Sequence, residues 1–451
     1  MKASSRDLTQ GSIAGNLVRF ALPVLLGQVF QNLYNSVDSI VMGNFVGMTA
    51  LAAVTSSSDI AHLIVSFFTG LSSGAGVLFS RHFGGKRLDQ LRRAIHTALA
   101  FSVALGLVMA AVGVLGTPLL LRLVDCPEEV YPLSVRYLRI YLVGVLFTAM
   151  YNVAAGVLRA VGDSGSPFRY LVISSVCNIA LDLVLVVGLD MGIAGVAVAT
   201  VISQLLSVVL IFGKMVRTQD VYRLAWRELR IEWGILGQVL SLGLPAAVQS
   251  CLTSFSNLFI QRCINGFGPA AMAGAGAAKK IDKYVSMVAQ SLAHATTTLV
   301  SQNLGAEKPR RARASVGWAL TLGFAAVCVI GIPAYHWAPS LLRIFTEDAA
   351  AAGYGVTMMR IMIPMYFVQT VHRILGSTLR GCGRSRTAMV TMMLGLIGSR
   401  QVYLAVITAQ NCGIRQVFYA YPLGWACSAL FSAICLASIL RKGDLVRCEK
   451  K

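Results

Sequence analysis

The sequence predicts an all-α polytopic membrane protein. Twelve transmembrane helices form two parallel six-helix repeats, an N-lobe and a C-lobe, around a central cavity. Three observations lead there: too little charge for a water-facing surface, apolar runs of bilayer length down the whole chain, and one register shift that superimposes its second half on its first. Of 451 residues, 13% are charged and 56% hydrophobic, and mean hydropathy is +0.69. Soluble domains carry about 25% charged residues, so lipid must cover what charge does not. A hydrocarbon core of about 30 Å takes roughly 20 apolar residues per helix. Runs of that length give spans at 15–41, 51–79, 94–117, 133–158, 170–189, 192–213, 235–262, 270–300, 315–336, 354–379, 387–409 and 416–440. They are long apolar blocks rather than alternating ten-residue strips, which excludes a β-barrel.

The N-terminus, MKASSRDLTQGSIAGNL, has no short apolar core and no A-x-A-like site, so no signal peptide is expected to be removed. Ten cysteines form no C-x-x-C pair, and most fall within apolar spans. They read as small packing residues, not as a disulfide frame or metal site. The net charge of +20 is placed by topology rather than by nucleic acid. Basic residues crowd alternate loops: Arg81–Arg93, Lys214–Arg230, Lys308–Arg313, Arg380–Arg386 and the tail from Arg441 to Lys451. The loops between are nearly uncharged (Gly43–Thr49, Leu189–Gly192) or acidic (Asp125–Glu129). This positive-inside pattern puts both termini in the cytoplasm.

The register shift is 221 residues. Leu158-Arg159-x-x-Gly162-x-Ser164 matches Leu379-Arg380-x-x-Gly383-x-Ser385, and the same shift pairs Ser80 with Ser301, Gly84 with Gly305, Arg139-Ile140 with Arg360-Ile361, and Gly192-Ile193 with Gly413-Ile414. Leu22-Pro23 answers Leu244-Pro245 with one residue of slippage. Six spans fit in 221 residues, so the repeats share one membrane orientation; such halves commonly enclose a transport cavity. The polar segment Lys214–Glu232 joins them, which sets the domains at 1–222 and 223–451.

Acids inside a span are costly and mark function. Gln31, Tyr34, Asn35 and Asp38 recur at i, i+3, i+4 and i+7 on one face of span 1; Asn178 and Asp182 are four apart in span 5; Thr200 lies in span 6. Two carboxylates, an amide oxygen and a hydroxyl are hard ligands that suit Na⁺, and paired carboxylates in low dielectric readily hold a proton. Under the shift, Asp38 meets Phe259 or Ile260, Asp182 meets Tyr403 and Asn178 meets Ser399. The ion site therefore belongs to the first half alone. Pro23, early in span 1, is the expected helix-bending residue. In the second half Asp282, His372, Arg373 and Arg400 stand inside spans; Arg400 is expected to pair with Asp282 or to line the cavity. No Walker A or His-Glu-x-x-His motif occurs, so the chain reads as a transporter without cofactor, not an enzyme.

Several motifs in this order resemble the multidrug and toxic compound extrusion (MATE) family: Leu22-Pro23, Val37-Asp38-Ser39-Ile40-Val41-Met42-Gly43, Leu158-Arg159-Ala160-Val161-Gly162-Asp163 with its echo Leu379-Arg380-Gly381-Cys382-Gly383, and Ser301-Gln302-Asn303-Leu304-Gly305-Ala306. The resemblance covers essentially the whole chain and is nearest to the branch typified by DNA-damage-inducible protein F. It implies export of organic cations or amphipathic drugs in exchange for H⁺ or Na⁺ at a bacterial cell membrane, by a protein functional as a monomer. It carries a cation site onto Asp38, Asn178, Asp182 and Thr200, and neighbouring substrate-binding positions onto Gln31, Tyr34, Asn35 and Asn152. The alternative is a lipid-linked precursor flippase of the same superfamily.

Overall fold

The computed structural model describes residues 6–124, 126–410 and 412–441, with the backbone only at Asp59. Asp125, Cys448 and the tail cations Lys442, Arg447, Lys450 and Lys451 lie outside the described residues. Ten helices are long and apolar enough to cross a membrane: α1 Ile13–Val46, α2 Met48–Gly84, α3 Leu88–Leu123, α4 Tyr131–Ala160, α5 Gly165–Gly188, α6 Ile193–Arg217, α7 Trp233–Asn265, α9 Pro309–His336, α11 Ser385–Ala409 and α12 Ile414–Arg441. Two more complete the twelve. Helix α8, Pro269–Gly305, is long enough but carries Lys279, Lys280, Asp282 and Lys283. Helix α10, residues 349–381, is broken at Ile363–Met365 by one 3₁₀ turn around Pro364, which has no N–H to continue the ladder.

The expected spans are found with longer ends. Helix α2 runs from Met48 to Gly84 rather than 51–79, and α3 from Leu88 to Leu123 rather than 94–117. Apolar runs report only the part a bilayer would hold, whereas a helix continues wherever its backbone bonds do. The extra turns carry basic residues, Arg81 and His82 on α2 and Arg92 and Arg93 on α3. No disulfide forms among the described cysteines.

The two halves repeat in backbone detail. Adding 221 to the bounds of α2 gives 269 and 305, the bounds of α8. The left-handed residues pair likewise: Gly47 (φ 110°) with Gly268 (93°), Lys86 (55°) with Glu307 (57°), and Gly162 (85°) with Gly383 (78°). Packing partners repeat too. Helix α4 packs on α2, α3 and α6 as α10 packs on α8, α9 and α12, and α5 packs on α6 as α11 packs on α12.

Two compact units result, one of residues 1–7 and 26–247, the other of 8–25 and 248–451. The first helix of each repeat is therefore shared. Helix α1 leaves the second unit after Leu25, and α7 leaves the first after Ala247. Both crossings come two residues after a proline, Pro23 or Pro245. Both helices continue through those prolines.

Within the first unit α2 meets the early part of α7 through small residues. A Cβ on Gly70 would stand 2.5 Å from the Ala247 Cα, and one on Gly74 would stand 2.3 Å from the Leu242 carbonyl oxygen. Glycines four apart let two helix backbones touch, which in a membrane is what drives helix association. The connecting segment is fastened beneath. Tyr222 and Leu224 are buried, Arg92 binds Glu228 through Nε at 2.7 Å, and Arg93 pairs with Glu232. His96 Nδ1 faces the Arg92 carbonyl at 2.8 Å while Nε2 accepts from the Ala225 N–H at 3.1 Å, a pattern that fixes the Nδ1-protonated tautomer.

Candidate cation site

Three helices of the first unit, α1, α5 and α6, carry the predicted ligands. Helix α1 holds the stripe that i, i+3, i+4, i+7 spacing dictates: Gln31 and Asn35 are exposed, Tyr34 and Asp38 half-buried. Asn178 and Asp182 share one face of α5 and are 1% and 0% exposed. The α-helical part of α5 ends at Asp182, and a π turn, Leu183–Gly188, follows at once. Such turns insert a residue into the helical ladder and recur at functional sites. Thr200 is buried on α6, which packs along α5, and its hydroxyl donates to the Val196 carbonyl at 2.9 Å. That bond leaves the oxygen lone pairs free to accept.

The structure brings Asp38 and Asp182 together: their carboxyls lie within interacting reach of each other. Both Asp182 oxygens, Asp38 Oδ1 and both polar atoms of the Asn178 amide are closed off with no donor or acceptor partner among the described residues. Two ionised carboxylates have only acceptors to offer each other. Their closeness needs a proton on one of them or a cation shared between them. Leaving a buried polar atom unpaired costs about 1–3 kcal/mol, and more if it is charged. The cluster is therefore built for a positively charged occupant.

Of the four proposed substrate positions, Tyr34 is tied to the cluster. It is hydrogen-bonded to Gln31 and lies within electrostatic reach of Asp38, Tyr141 and Tyr151. Asn35 adds its backbone carbonyl, which accepts from the Ser39 hydroxyl at 2.9 Å. The Asn152 amide instead donates to the Thr148 carbonyl of its own helix at 2.9 Å. Sequence reasoning missed Tyr137 and Tyr141 on α4. Their rings stack at 5.9 Å and 23°, and Tyr137 lies within reach of both Asp38 and Asp182. Their i, i+4 spacing was visible, but tyrosine, unlike aspartate, is at home in a membrane and does not announce itself.

In the second unit the expected Asp282–Arg400 pair does not form. Tyr366 donates to Asp282 at 2.7 Å, and the cations nearest that carboxylate are Arg373 and Lys279. Arg400 is held by Asn257 Oδ1 at 3.1 Å, Ser256 Oγ and the Ala420 carbonyl at 3.4 Å, and its guanidinium lies 5.2 Å over the Tyr421 ring. Neutral acceptors on α7 and α12 reach it first, and an aromatic face supplies the rest.

The MatE family model matches residues 23–184 and again 245–404. The chain is 29% identical over 428 residues to the probable multidrug resistance protein YoeA of Bacillus subtilis, covering 93% of this chain and 92% of that protein. It is 23% identical over 440 residues to an FAD transporter of Shewanella oneidensis, covering 95% and 96%. Among solved structures, a MOP superfamily transporter from Pyrococcus furiosus superposes with a TM-score of 0.90 at 21% identity, over 99% of each chain. An outward-facing MATE family transporter gives the same score and identity over 98% of this chain and 100% of that one. These structural likenesses concern the fold.

Proposed function

Because the chain belongs to the MatE family and is a membrane transporter rather than an enzyme, we propose that it is a cation-coupled antiporter. It exports organic cations or amphipathic drugs across a bacterial cell membrane, with both termini cytoplasmic. The observation that carries this reading is the closeness of the Asp38 and Asp182 carboxyls beside an unpartnered Asn178 amide. Like charges that close resist double ionisation, so one proton is taken up from the side with more protons and given up to the other. Asp38, on the half-buried stripe of α1, is the proton's point of entry; Asp182 and Asn178 hold the buried end. Gln31, Tyr34, Asn35 and Asn152 contact the exported compound, and Pro23 is where α1 bends. The name of the Bacillus relative supports drug-like cargo. No lipid-linked precursor flippase is among the relatives described above. Sodium is the second reading, favoured by the free Asn178 Oδ1 and the Thr200 hydroxyl, both hard oxygens.

The experiment is efflux of a fluorescent organic cation from proteoliposomes under an imposed ΔpH and, separately, an imposed ΔpNa. Proton coupling is expected to drive efflux under ΔpH alone. Asp38→Asn and Asp182→Asn each bring it to the rate of empty liposomes while eluting as folded protein. Wild-type rates in both variants overturn the site.

A further inference from the structure

We propose that the second unit carries an anion site, formed by Arg373 and Arg380 with Arg400 behind them, that takes a phosphate group. Residues 248–441 hold four acids, of which only Asp282 lies within a helix; Glu307, Glu347 and Asp348 are in loops. Three arginines stand against it in the helices around His372, which lies within electrostatic reach of Arg373, Arg380 and Arg400 alike. Among the described residues none of the three makes an ion pair; Arg92, Arg93 and Arg230 of the first unit all do. A lone charge in a bilayer interior is costly even on the mildest scale. Three guanidiniums with one carboxylate among them hold that cost open unless a further anion meets them.

The donors left over say where it sits. Each guanidinium has five N–H groups. Arg400 spends three of its own, Nε on the Ala420 carbonyl and Nη1 on Ser256 and Asn257, and is 2% exposed, so it contributes charge rather than contact. Arg380 gives Nη1 to Gln249 at 3.3 Å and Nη2 to Ser377 at 2.8 Å, and its Nε has no partner. The Arg373 Nε is likewise closed off without an acceptor. Arg373 and Arg380 are seven apart on α10, two turns along one face. Both keep part of their surface open. Two guanidinium forks on one face suit a tetrahedral oxyanion, which accepts paired N–H bonds from each. The occupant is a phosphate group, whether free or on a lipid.

The repeat shows that the paired arrangement belongs to the second unit. Subtracting 221 places Arg380 over Arg159, but Arg373 over Asn152 and Arg400 over Ile179. The inference does not rest on the cation site, which uses other residues.

The test is thermal unfolding of delipidated, detergent-purified full-length protein. Inorganic phosphate, short-chain phosphatidylglycerol and short-chain phosphatidylcholine are titrated separately, with chloride as the ionic-strength control. Wild-type protein is expected to be stabilised saturably by phosphate or phosphatidylglycerol and not by chloride. Stabilisation by both assigns the bare group, and by phosphatidylglycerol alone a lipid headgroup. Arg373→Gln and Arg380→Gln each weaken that binding tenfold or more, Arg373→Lys weakens it less, and Asp282→Asn, which removes the competing acid, tightens it. The site is overturned if neither phosphate nor phosphatidylglycerol stabilises the wild type saturably, or if the glutamine variants bind like it. Should a glutamine variant not be recovered folded, the wild-type titration together with Asp282→Asn decides.

Discussion

Asp182 is fully buried beside a second carboxyl, and no hydrogen-bond donor of the described residues reaches it. The Asn178 amide has the same isolation, one turn earlier on α5. Replacing Asn178 by Leu removes an unpaired polar group, so unfolding temperature is expected to hold or rise while coupled efflux falls about tenfold. That is the loss of roughly one hydrogen bond to a charged occupant. A variant that transports normally would make the amide a bystander. Tyr137→Phe, by contrast, keeps the ring stack on Tyr141 and removes only a hydroxyl near both acids. A shifted pH–rate profile at nearly unchanged stability is expected. The acids and amide were legible in the sequence because a membrane makes such residues expensive. The tyrosines were not, and neither was the partner of Arg400, since Asn257, Tyr421 and the Ala420 carbonyl are chosen by three-dimensional proximity.

At the scale of elements, the α2–α7 contact is the most exacting. The Gly74 Cβ position lies 2.3 Å from the Leu242 carbonyl oxygen and 2.4 Å from the Gly243 Cα. Backbone cannot yield there as a side-chain tip can. Gly74→Ala is expected to destabilise by about 1–3 kcal/mol, the usual cost of overpacking, and Gly74→Leu by more. Unfolding in a mild denaturing detergent measures both. Gly116, with nothing within 4 Å of its Cβ position, is the tolerant control. Below α7, the guanidinium of Arg93, helped by Arg230, holds the Glu232 carboxyl below its usual range. A carboxyl depressed in the fold contributes at neutral pH, and the contribution disappears as pH falls through the folded value. Relative to its intrinsic rate, amide exchange across 218–232 should therefore quicken only in acid, below the ordinary glutamate range. Arg93→Gln should bring that quickening to higher pH.

For the whole molecule, duplication was readable from Arg159 and Arg380 onward, and the left-handed turns at Lys86 and Glu307 follow the same shift. What periodicity could not tell was which stretch of α1 and α7 belongs with which unit. Packing decides that, and neither helix is interrupted where it passes from one unit to the other. The units also differ in the charge their helices carry: aspartates at 38 and 182 in one, arginines at 373 and 400 in the other, while Arg159 and Arg380 match across the repeat. The two tests are separable on that account. Asp182→Asn should abolish ΔpH-driven efflux and leave phosphate stabilisation intact, while Arg373→Gln should lose the phosphate response first.

The sharing of α1 and α7 has a genetic corollary. Cutting the gene at the repeat boundary, near residue 222, would yield two polypeptides that each still owe the other a length of chain, 8–25 in one direction and 223–247 in the other. Such fragments are obliged to assemble as a swapped pair. Co-expressed, they should co-purify without a covalent link; expressed singly, each should be degraded as an orphan.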